Sequence, residues 1–200
     1  MHPDKTFAWT DRTAMRGFVE QVGLGAIFAA TPEGLRVAHA PVLFLSDDCV
    51  GFHLSRHSPL AAHLMDGDAL FVAQGPHAYV SPDWYGMEDQ VPTWNYVAVE
   101  LEGHAKAMDR ERLVALIDAI SARHEARLAP KKEWTREKMR DGLFDRMLGG
   151  IIGCSFTIRE WRGTMKIGQN KPEAARLSVA AALVAQGEHD MAALMQGAPA

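Results

Sequence analysis

Short β-type segments, closely spaced and punctuated by glycine and proline, limit what this chain can fold into. Two of them, 26–31 and 35–45, flank Pro32-Glu33-Gly34, where proline presets φ and glycine accepts a positive φ. Further strands are predicted over 50–54, 69–74 with a continuation at 77–81, 93–108, 151–161 and, after a turn at Gly163, through Ile167. Most connections are too short for the crossover that joins parallel strands. The pattern therefore predicts an antiparallel barrel.

Helical segments lie near both ends of the chain and between the strands. Apolar spacing and N-cap residues predict helices over 11–22, from Ser58 to about Met65, over 110–128, from Thr135 to about Leu148 and from Pro172 to Gly187, with a short further helix in the tail. The sequence contains no internal repeat, low-complexity tract or linker. We therefore predict a single domain over 1–200, mainly β with peripheral helices, whose C-terminal helices begin at about 171.

The charge balance bears on partners and compartment. Lys and Arg number 21 and Asp and Glu number 25, so the formal charge is −4, which argues against strong non-specific attraction to nucleic acid. Acidic residues interrupt the basic stretch 131–140 at helical spacing, so it predicts an exposed helix before a DNA-binding face. Direct or indirect contact with DNA stays open. The chain shows no signal-peptide pattern and no membrane-spanning apolar run, which predicts a cytoplasmic protein without membrane contact.

The cysteines and histidines do not form a recognisable metal motif. Cys49 and Cys154 are too few for a cysteine-based zinc site, and the pattern predicts two small buried hydrophobic residues. His53 and His57 are four residues apart, but we place them on a strand end and the following loop, where this spacing does not gather ligands. We predict no metal site.

Three segments carry the side chains that a flat cofactor with a phosphate tail needs. Residues 51–59 deliver Arg56, Ser55 and Ser58 to the predicted start of a helix, whose free N–H groups suit a phosphate. Residues 79–96 concentrate tryptophan and tyrosine, and residues 165–172 place Lys166 before a turn rich in amides. Each segment also has a structural interpretation: a capped surface turn, a loop fixed by its aromatics, and a turn before a helix.

The aromatic segment also carries a resemblance to a known family. Gly-Pro-His-Ala-Tyr at 75–79 and Val-Pro-Thr-Trp-Asn-Tyr at 91–96 resemble the PaiB family, whose members are described as FMN-binding negative transcriptional regulators. Further matches in the same order are Ala38-His39-x-Pro41, His53-Leu54-x-Arg56, Ala-Arg-His-Glu at 122–125 and Lys166-x-x-Gln169-Asn170. Together they span nearly the whole chain. The resemblance implies a split β-barrel of the flavin-reductase and pyridoxamine-phosphate-oxidase type, forming a homodimer with FMN at the subunit interface.

The resemblance also implies which residues contact FMN. Arg56 and Ser58 would hold the phosphate, with Lys166 a further cation. Ala38, His39 and Pro41 would line the strand under the isoalloxazine ring, and His53 and Leu54 would face the ribityl chain. Trp94 and Asn95 would reach the site or the dimer contact, and Gln169 and Asn170 would complete it.

The chain departs from the family pattern near its end. Met165, Gly168 and Lys171 stand where the family commonly has tryptophan, serine and arginine. A stacking surface, a hydroxyl and a guanidinium fork are therefore missing, and Lys171 keeps the charge without bidentate geometry. These departures predict weaker FMN binding or a preference for another planar ligand.

Three functions follow from the resemblance and the residues. The first is a flavin-binding transcriptional regulator; no DNA-reading element is recognisable, which leaves an indirect effect open. The second is a flavin-dependent oxidoreductase acting on a small molecule, for which His39 and His53 are the candidates for proton transfer. The third is a cofactor-free or haem-binding relative of the same barrel. The spacing identifies no catalytic residue.

Overall fold

The computed structural model describes residues 2–197, in which seven strands and five α-helices are assigned. The strands are β1 Ala8–Trp9, β2 Leu24–Thr31, β3 Gly34–Ser46, β4 Cys49–Ser55, β5 Asp66–Val80, β6 Thr93–Ala107 and β7 Ile151–Lys166. The helices are α1 Arg12–Val22, α2 Arg110–Ala126, α3 Leu143–Leu148, α4 Glu173–Ala185 and α5 His189–Gln196. No helix within the described range is both long enough and apolar enough to cross a membrane.

The chain divides into two compact units. The barrel unit comprises Arg16–Ala73 and Leu101–Trp161, and the terminal unit comprises Met1–Met15, Gln74–Glu100 and Arg162–Ala200. Strands β5, β6 and β7 each contribute residues to both units. The C-terminal helices α4 and α5 belong to the terminal unit.

A ring of antiparallel strands forms the barrel unit. The strand order is β7-β4-β3-β2-β5-β6, and β6 pairs with β7 to close the ring. Phe28 faces Val37 across β2 and β3, and Phe52 faces Val42 across β4 and β3. Ile27, Phe71 and the pair Phe52–Phe156, whose ring centres lie 6.3 Å apart, fill the interior. The predicted antiparallel barrel is confirmed.

Helix α2 covers one outer face of this ring because two glycines allow its close approach. A Cβ on Gly51 of β4 would lie 2.7 Å from Leu116 Cδ1. A Cβ on Gly153 of β7 would lie equally close, 2.7 Å, to Leu113 Cδ1. A side chain at either position would force Leu116 or Leu113 to move, so these glycines favour the close packing of α2 on the sheet.

The terminal unit packs the two C-terminal helices together. Val179 and Leu183 of α4 are buried with Met191 and Met195 of α5. The buried Arg176 guanidinium donates to the carbonyl of Met195, which satisfies a charge that would otherwise be costly to bury. In the same unit, the short β1 pairs with the end of β7.

The predicted turn at Gly163 is wrong, because β7 continues to Lys166 as one strand. Gly163 pairs with Trp9 of β1, and a Cβ there would lie 2.7 Å from the Trp9 carbonyl oxygen. The glycine therefore permits a close approach between strands.

Two other predicted helices differ from the observed structure. Residues 58–62 form turns followed by a 3-10 helix at His63–Met65, since the hydroxyls of Ser55 and Ser58 accept hydrogen bonds from nearby backbone N–H groups. The helix predicted from Thr135 to Leu148 is divided into a 3-10 helix at Arg136–Lys138 and α3. Gly142 separates them with φ of 72°, in the left-handed region.

The closest strand approach gives the first prediction. A Cβ on the buried Gly103 of β6 would lie 2.2 Å from the carbonyl oxygen of Thr157 in β7. We expect Gly103→Ala to lower the free energy of unfolding by about 1–3 kcal/mol, measured by urea denaturation. The control is Gly17→Ala in α1, where a Cβ meets open space and a gain of about 0.5–1 kcal/mol is expected. An unchanged urea midpoint for Gly103→Ala would contradict the packing described.

Candidate functional site

Strands β3 and β4 part at Pro41. Residues 34–41 of β3 pair with β2, and the pairing of β3 with β4 runs from Val42↔Phe52 to Ser46↔Cys49. The next pair outward would join Pro41 to His53. Because proline has no N–H to donate, the ladder between these strands cannot continue in the ordinary way. Five of the predicted site residues, Ala38, His39, Pro41, His53 and Leu54, lie on the two strands where they separate.

These five residues do not share one face of the sheet. Ala38 is opposite the buried Ile27, and Leu54 is itself only 6% exposed, so both point into the barrel interior. His39, Pro41 and His53 lie on the outer face, because side chains alternate along a strand. The structure therefore leaves three of the five available on the outside of the barrel.

His53 has a distinctive environment on that outer face. Its cross-strand partner is Gly153, beside Leu113 of α2, so the imidazole is half-buried next to that helix. Burial lowers the pKa of His53 below its ordinary value of 6.5, which keeps the ring neutral at pH 7. Within the described residues, the buried Nδ1 atom has no hydrogen-bond partner. A neutral imidazole with one unpaired nitrogen can accept or donate a proton.

Arg56 and Ser58 lie in the turn that follows β4. The Arg56 guanidinium donates from Nε to the carbonyl of Gly149 at 3.0 Å and from Nη2 to that of Ile151 at 3.2 Å. Two of its five N–H donors are thus used, and the side chain is held across the turn. Ser58 Oγ accepts from the N–H of Leu60 at 3.3 Å. No α-helix starts here, so the predicted helix N-terminus does not contribute to a phosphate site.

A second group of predicted residues meets in the terminal unit. Lys166, Asn95 and Asn170 line a cavity of about 170 Å³, and its other walls include Thr93, Lys171 and Tyr85. We refer to this cavity as the lysine pocket. Lys166 Nζ donates to Thr93 Oγ1 at 2.6 Å, and burial lowers its pKa from the ordinary value of 10.5. Because ammonium, amide and hydroxyl groups line the pocket and no carboxylate does, its chemistry suits a phosphate.

Gln169 and Gly168 shape the turn beside this pocket. Gln169 Oε1 accepts from the N–H of Ile167 at 2.9 Å, and Nε2 donates to the carbonyls of Met165 and Thr6. The amide is therefore used within the protein. Gly168 has φ of 79°, which a serine rarely adopts, so glycine at this position matches the turn's backbone. Lys171 donates to Gln90 Oε1 at 2.6 Å and lies over the Tyr85 ring.

Trp94 lies on the other side of β6 from Asn95. With Tyr79, Trp84 and His77 it lines a cleft of about 660 Å³ in the terminal unit, which we call the aromatic cleft. The other wall of the cleft is formed by Leu183 and residues 186–191, including Glu188 and Asp190. The clustering of aromatic residues in the sequence pointed to this cleft. Its acidic wall was missed because those residues lie about 100 positions later, beyond any local pattern.

The cysteines do not offer a reactive thiolate. Cys154 is fully buried, and burial raises its pKa to about 12. Cys49 is half-buried, and its pKa is likewise raised by burial. Both thiols are therefore protonated at neutral pH. Residues 2–197 also contain no cluster of three or more His, Cys, Asp or Glu side chains arranged to hold a metal ion.

Sequence analysis also missed a charged cluster on the barrel unit. His104 of β6 contacts Asp68 at 2.6 Å and Asp66 at 2.8 Å, one with each ring nitrogen, and Asp68 also pairs with Arg159. The hydrogen bonds that His104 donates to the two aspartates raise its pKa above the ordinary value of 6.5. This cluster joins the neighbouring strands β5 and β6 and has the chemistry of a structural ion pair.

Two cations of the segment 131–140 form ion pairs with carboxylates. Lys131 pairs with Glu125 and Arg136 pairs with Asp118 at 3.3 Å, while Lys138 donates to the carbonyl of Glu133 at 2.7 Å. The two ion pairs reduce the positive charge with which this segment would attract DNA phosphates.

Comparison with known proteins now defines the class to which this barrel belongs. The structure is similar to that of the FAD and heme binding protein from Mycobacterium smegmatis, with a TM-score of 0.59, 16% identity and coverage of 87% of this chain and 79% of that one. It is also similar to the flavocytochrome Anf3 from Azotobacter vinelandii, with a TM-score of 0.57, 16% identity and coverage of 83% and 72%. The fold is a split β-barrel of the flavin-binding type, as predicted.

The family follows from the sequence. Residues 1–160 match the family described as "Putative FMN-binding domain", and the chain belongs to this family, whose cofactor is FMN. The chain is also 28% identical over 191 residues to "Protease synthase and sporulation protein PAI 2" from Bacillus subtilis strain 168, covering 90% of this chain and 87% of that protein. The resemblance to the PaiB family is thereby confirmed.

The His104 cluster gives a prediction for pH dependence. Its protonated histidine stabilises the fold fully below 6.5, and this contribution is lost as pH rises through the raised pKa. The aspartates contribute above 3.8 and lose their effect as pH falls through their lowered pKa values. We expect His104→Gln to unfold at lower urea than the unmodified protein at about pH 5, with a smaller difference at about pH 9. The control is His57→Gln in an exposed turn, and a difference that grows with pH would refute the assignment.

Proposed function

We propose that the protein binds FMN on the outer face of the barrel where β3 and β4 separate. Membership of the FMN-binding family carries this proposal, because the match spans both strands of the split and the turn after them. His39 and Pro41 would lie against the isoalloxazine ring, and the half-buried imidazole of His53 would lie beside them. Ala38 and Leu54 would support these residues from the barrel interior.

Arg56 and Ser58 are the proposed phosphate ligands of this site. The guanidinium is fixed by two backbone carbonyls and keeps three donors, while the Ser58 hydroxyl keeps its proton. A preorganised cation of this kind loses little conformational entropy when it binds an anion. The lysine pocket of the terminal unit, with Lys166, Asn95 and Asn170 in its lining, is a separate proposed phosphate site for FMN, and Gln169 positions its turn.

We further propose that the barrel works as a homodimer. Leu24, Phe28, Leu35 and Val37 form one exposed apolar face on β2 and β3, and Leu35 is 82% exposed. Contiguous apolar patches of this kind are uncommon on monomers and are typical of protein interfaces. His39 and Pro41 lie on the same face, paired with Ala26 and Leu24. A second copy seated on this face would cover the proposed ring site.

The biological role that we propose is a flavin-binding regulator of the PaiB type. The similarity to PAI 2, whose name refers to sporulation, supports this role. The formal charge of −4 and the ion pairs of Lys131 and Arg136 argue for an effect on transcription that does not depend on a large basic surface.

One observation favours a flavin-dependent oxidoreductase as the second candidate. His53 is neutral and half-buried on the outer face, where its imidazole would lie beside the proposed flavin as a proton carrier. Steady oxidation of NADH or NADPH by the FMN-loaded protein would support this candidate. Salt-sensitive retention of promoter DNA without such oxidation would support the regulator.

The phosphate assignment can be tested with FMN and riboflavin, which differ by the phosphate alone. We expect Arg56→Ala to weaken FMN binding by about 10–100-fold, because a charged hydrogen-bond donor is lost, and to change riboflavin binding by less than about threefold. Fluorescence titration of the apoprotein measures both affinities, and Lys166→Ala is measured in parallel.

Arg140→Ala, on an exposed arginine of the barrel unit, is the matched control and is expected to bind FMN normally. If Arg56→Ala and Arg140→Ala bind FMN equally well, Arg56 does not hold the phosphate. An equal loss of FMN and riboflavin binding would also remove the assignment, since it would show a general effect on the site.

The dimer proposal predicts the effect of a charge on the apolar face. We expect Val37→Lys to be a monomer in sedimentation velocity at concentrations where the unmodified chain is a dimer, because burying an unpaired ammonium is costly. Val184→Lys, at a similarly exposed valine on α4, is the control and should remain dimeric. A monomeric unmodified protein at about 50 μM would argue against the dimer.

A further inference from the structure

The aromatic cleft of the terminal unit has no role in the proposed FMN site. Its volume of about 660 Å³ lies within the range of small-molecule sites. Its walls come from β5, the 3-10 helix Pro82–Tyr85, the start of β6 and the segment joining α4 to α5. The side chains of these walls indicate which class of ligand the cleft would select.

Aromatic rings form one wall of the cleft. Trp94 is 54% exposed and Tyr79 is 46% exposed, so both present large apolar rings to solvent. The Trp94 ring centre lies 6.1 Å from that of Tyr79, nearly perpendicular to it, and 5.9 Å from that of His77. Trp84 adds a further ring. Tryptophan and tyrosine rings attract organic cations through the negative potential of their faces.

The carboxylates of Glu188 and Asp190 belong to the other wall of the cleft. Glu188 and Asp190 flank the first residue of α5, and no ion pair within the described part of the chain engages either. The lining residues include no lysine or arginine. Acidic residues favour a helix N-terminus, but two full negative charges exceed the partial positive charge of about one half that the helix end supplies. The cleft is therefore negative on balance.

We propose that the aromatic cleft binds an organic ammonium cation, a primary or quaternary alkylamine held between the rings of Tyr79, Trp84 and Trp94 and the carboxylates of Glu188 and Asp190. A neutral ligand would use the rings and leave the charge unused. An anionic ligand such as FMN would meet two carboxylates without a compensating cation in the lining.

The acidic residues of the cleft lie outside the part of the chain that matches the FMN-binding family. The family match ends at residue 160, whereas the wall lies at 186–191. The aromatic wall, at 75–94, lies inside the match. The cleft thus combines rings within the FMN-binding family pattern with charges outside it. An ammonium compound bound there would be an effector or substrate in addition to FMN.

The test uses the FMN-loaded protein and a pair of probes with the same shape. Choline carries a quaternary ammonium, and 3,3-dimethylbutan-1-ol replaces its nitrogen by carbon and is neutral. Calorimetric titration with each probe measures binding, with n-butylamine as a primary ammonium. We expect choline to bind at least about tenfold more tightly than the neutral isostere.

Variants separate the two walls. Trp94→Leu is expected to weaken choline binding by about tenfold, while Trp94→Phe retains part of the affinity because a ring remains. Glu188→Gln and Asp190→Asn are each expected to weaken choline severalfold and to reduce the dependence of binding on salt. Trp134→Leu and Glu33→Gln, in the barrel unit, are the matched controls and should bind choline normally.

Four outcomes would overturn the proposal. The first two are equal binding of choline and its neutral isostere, and no binding of either probe up to about 50 mM. The third is that Trp94→Leu and Glu188→Gln both bind choline as the unmodified protein does. The fourth is competition between choline and FMN for the apoprotein, which would show that the cleft holds the flavin. Failure of FMN to bind the apoprotein would instead contradict the proposed function. The comparison of choline with its neutral isostere would then be made on the apoprotein and would still test the cleft.

Discussion

The parting of β3 from β4 at Pro41 is the constraint on which the barrel's outer face depends. A strand shared between two neighbours can pair along its whole length only if every residue keeps its N–H donor. Proline at 41 lacks one, and the observed ladder with β4 begins just after it, at Val42. Beyond that point β3 pairs with β2 alone, so His39, Pro41 and His53 lie on the outer surface where the two strands separate.

Charge is distributed so that different parts of the molecule suit different ligands. The turn after β4 and the lysine pocket present cations without a carboxylate in the pocket lining, and these are the groups that suit a phosphate. The aromatic cleft presents two carboxylates without a lysine or arginine. Two cations of the basic segment 131–140 are paired with carboxylates of α2. A net charge of −4 therefore says less about binding than the local lining of each site.

Local patterns predicted most strands and helices because their periodicity is strong. The apolar alternation of β6 and the cap Asp109 before α2 both correspond to observed structure, and Asp109 accepts from the N–H of Arg112 at 2.8 Å. Prediction failed where a side chain or a distant strand competed with local preference. The hydroxyls of Ser55 and Ser58 replaced a helix with turns, and pairing with Trp9 kept Gly163 inside a strand.

The sequence by itself determined the antiparallel barrel, the family and the cofactor, because motifs such as Val-Pro-Thr-Trp-Asn-Tyr and the spacing of strands are local properties of the chain. Only the tertiary structure decided which candidate side chains are available. Because side chains alternate along a strand, Leu54 points into the barrel and His53 points outward. The amide of Gln169 accepts a hydrogen bond from the N–H of Ile167 within its own turn. The tertiary structure also brought Glu188 and Trp94 into the lining of one cleft, because the proximity of residues so far apart in sequence arises from packing and leaves no periodic pattern in the sequence.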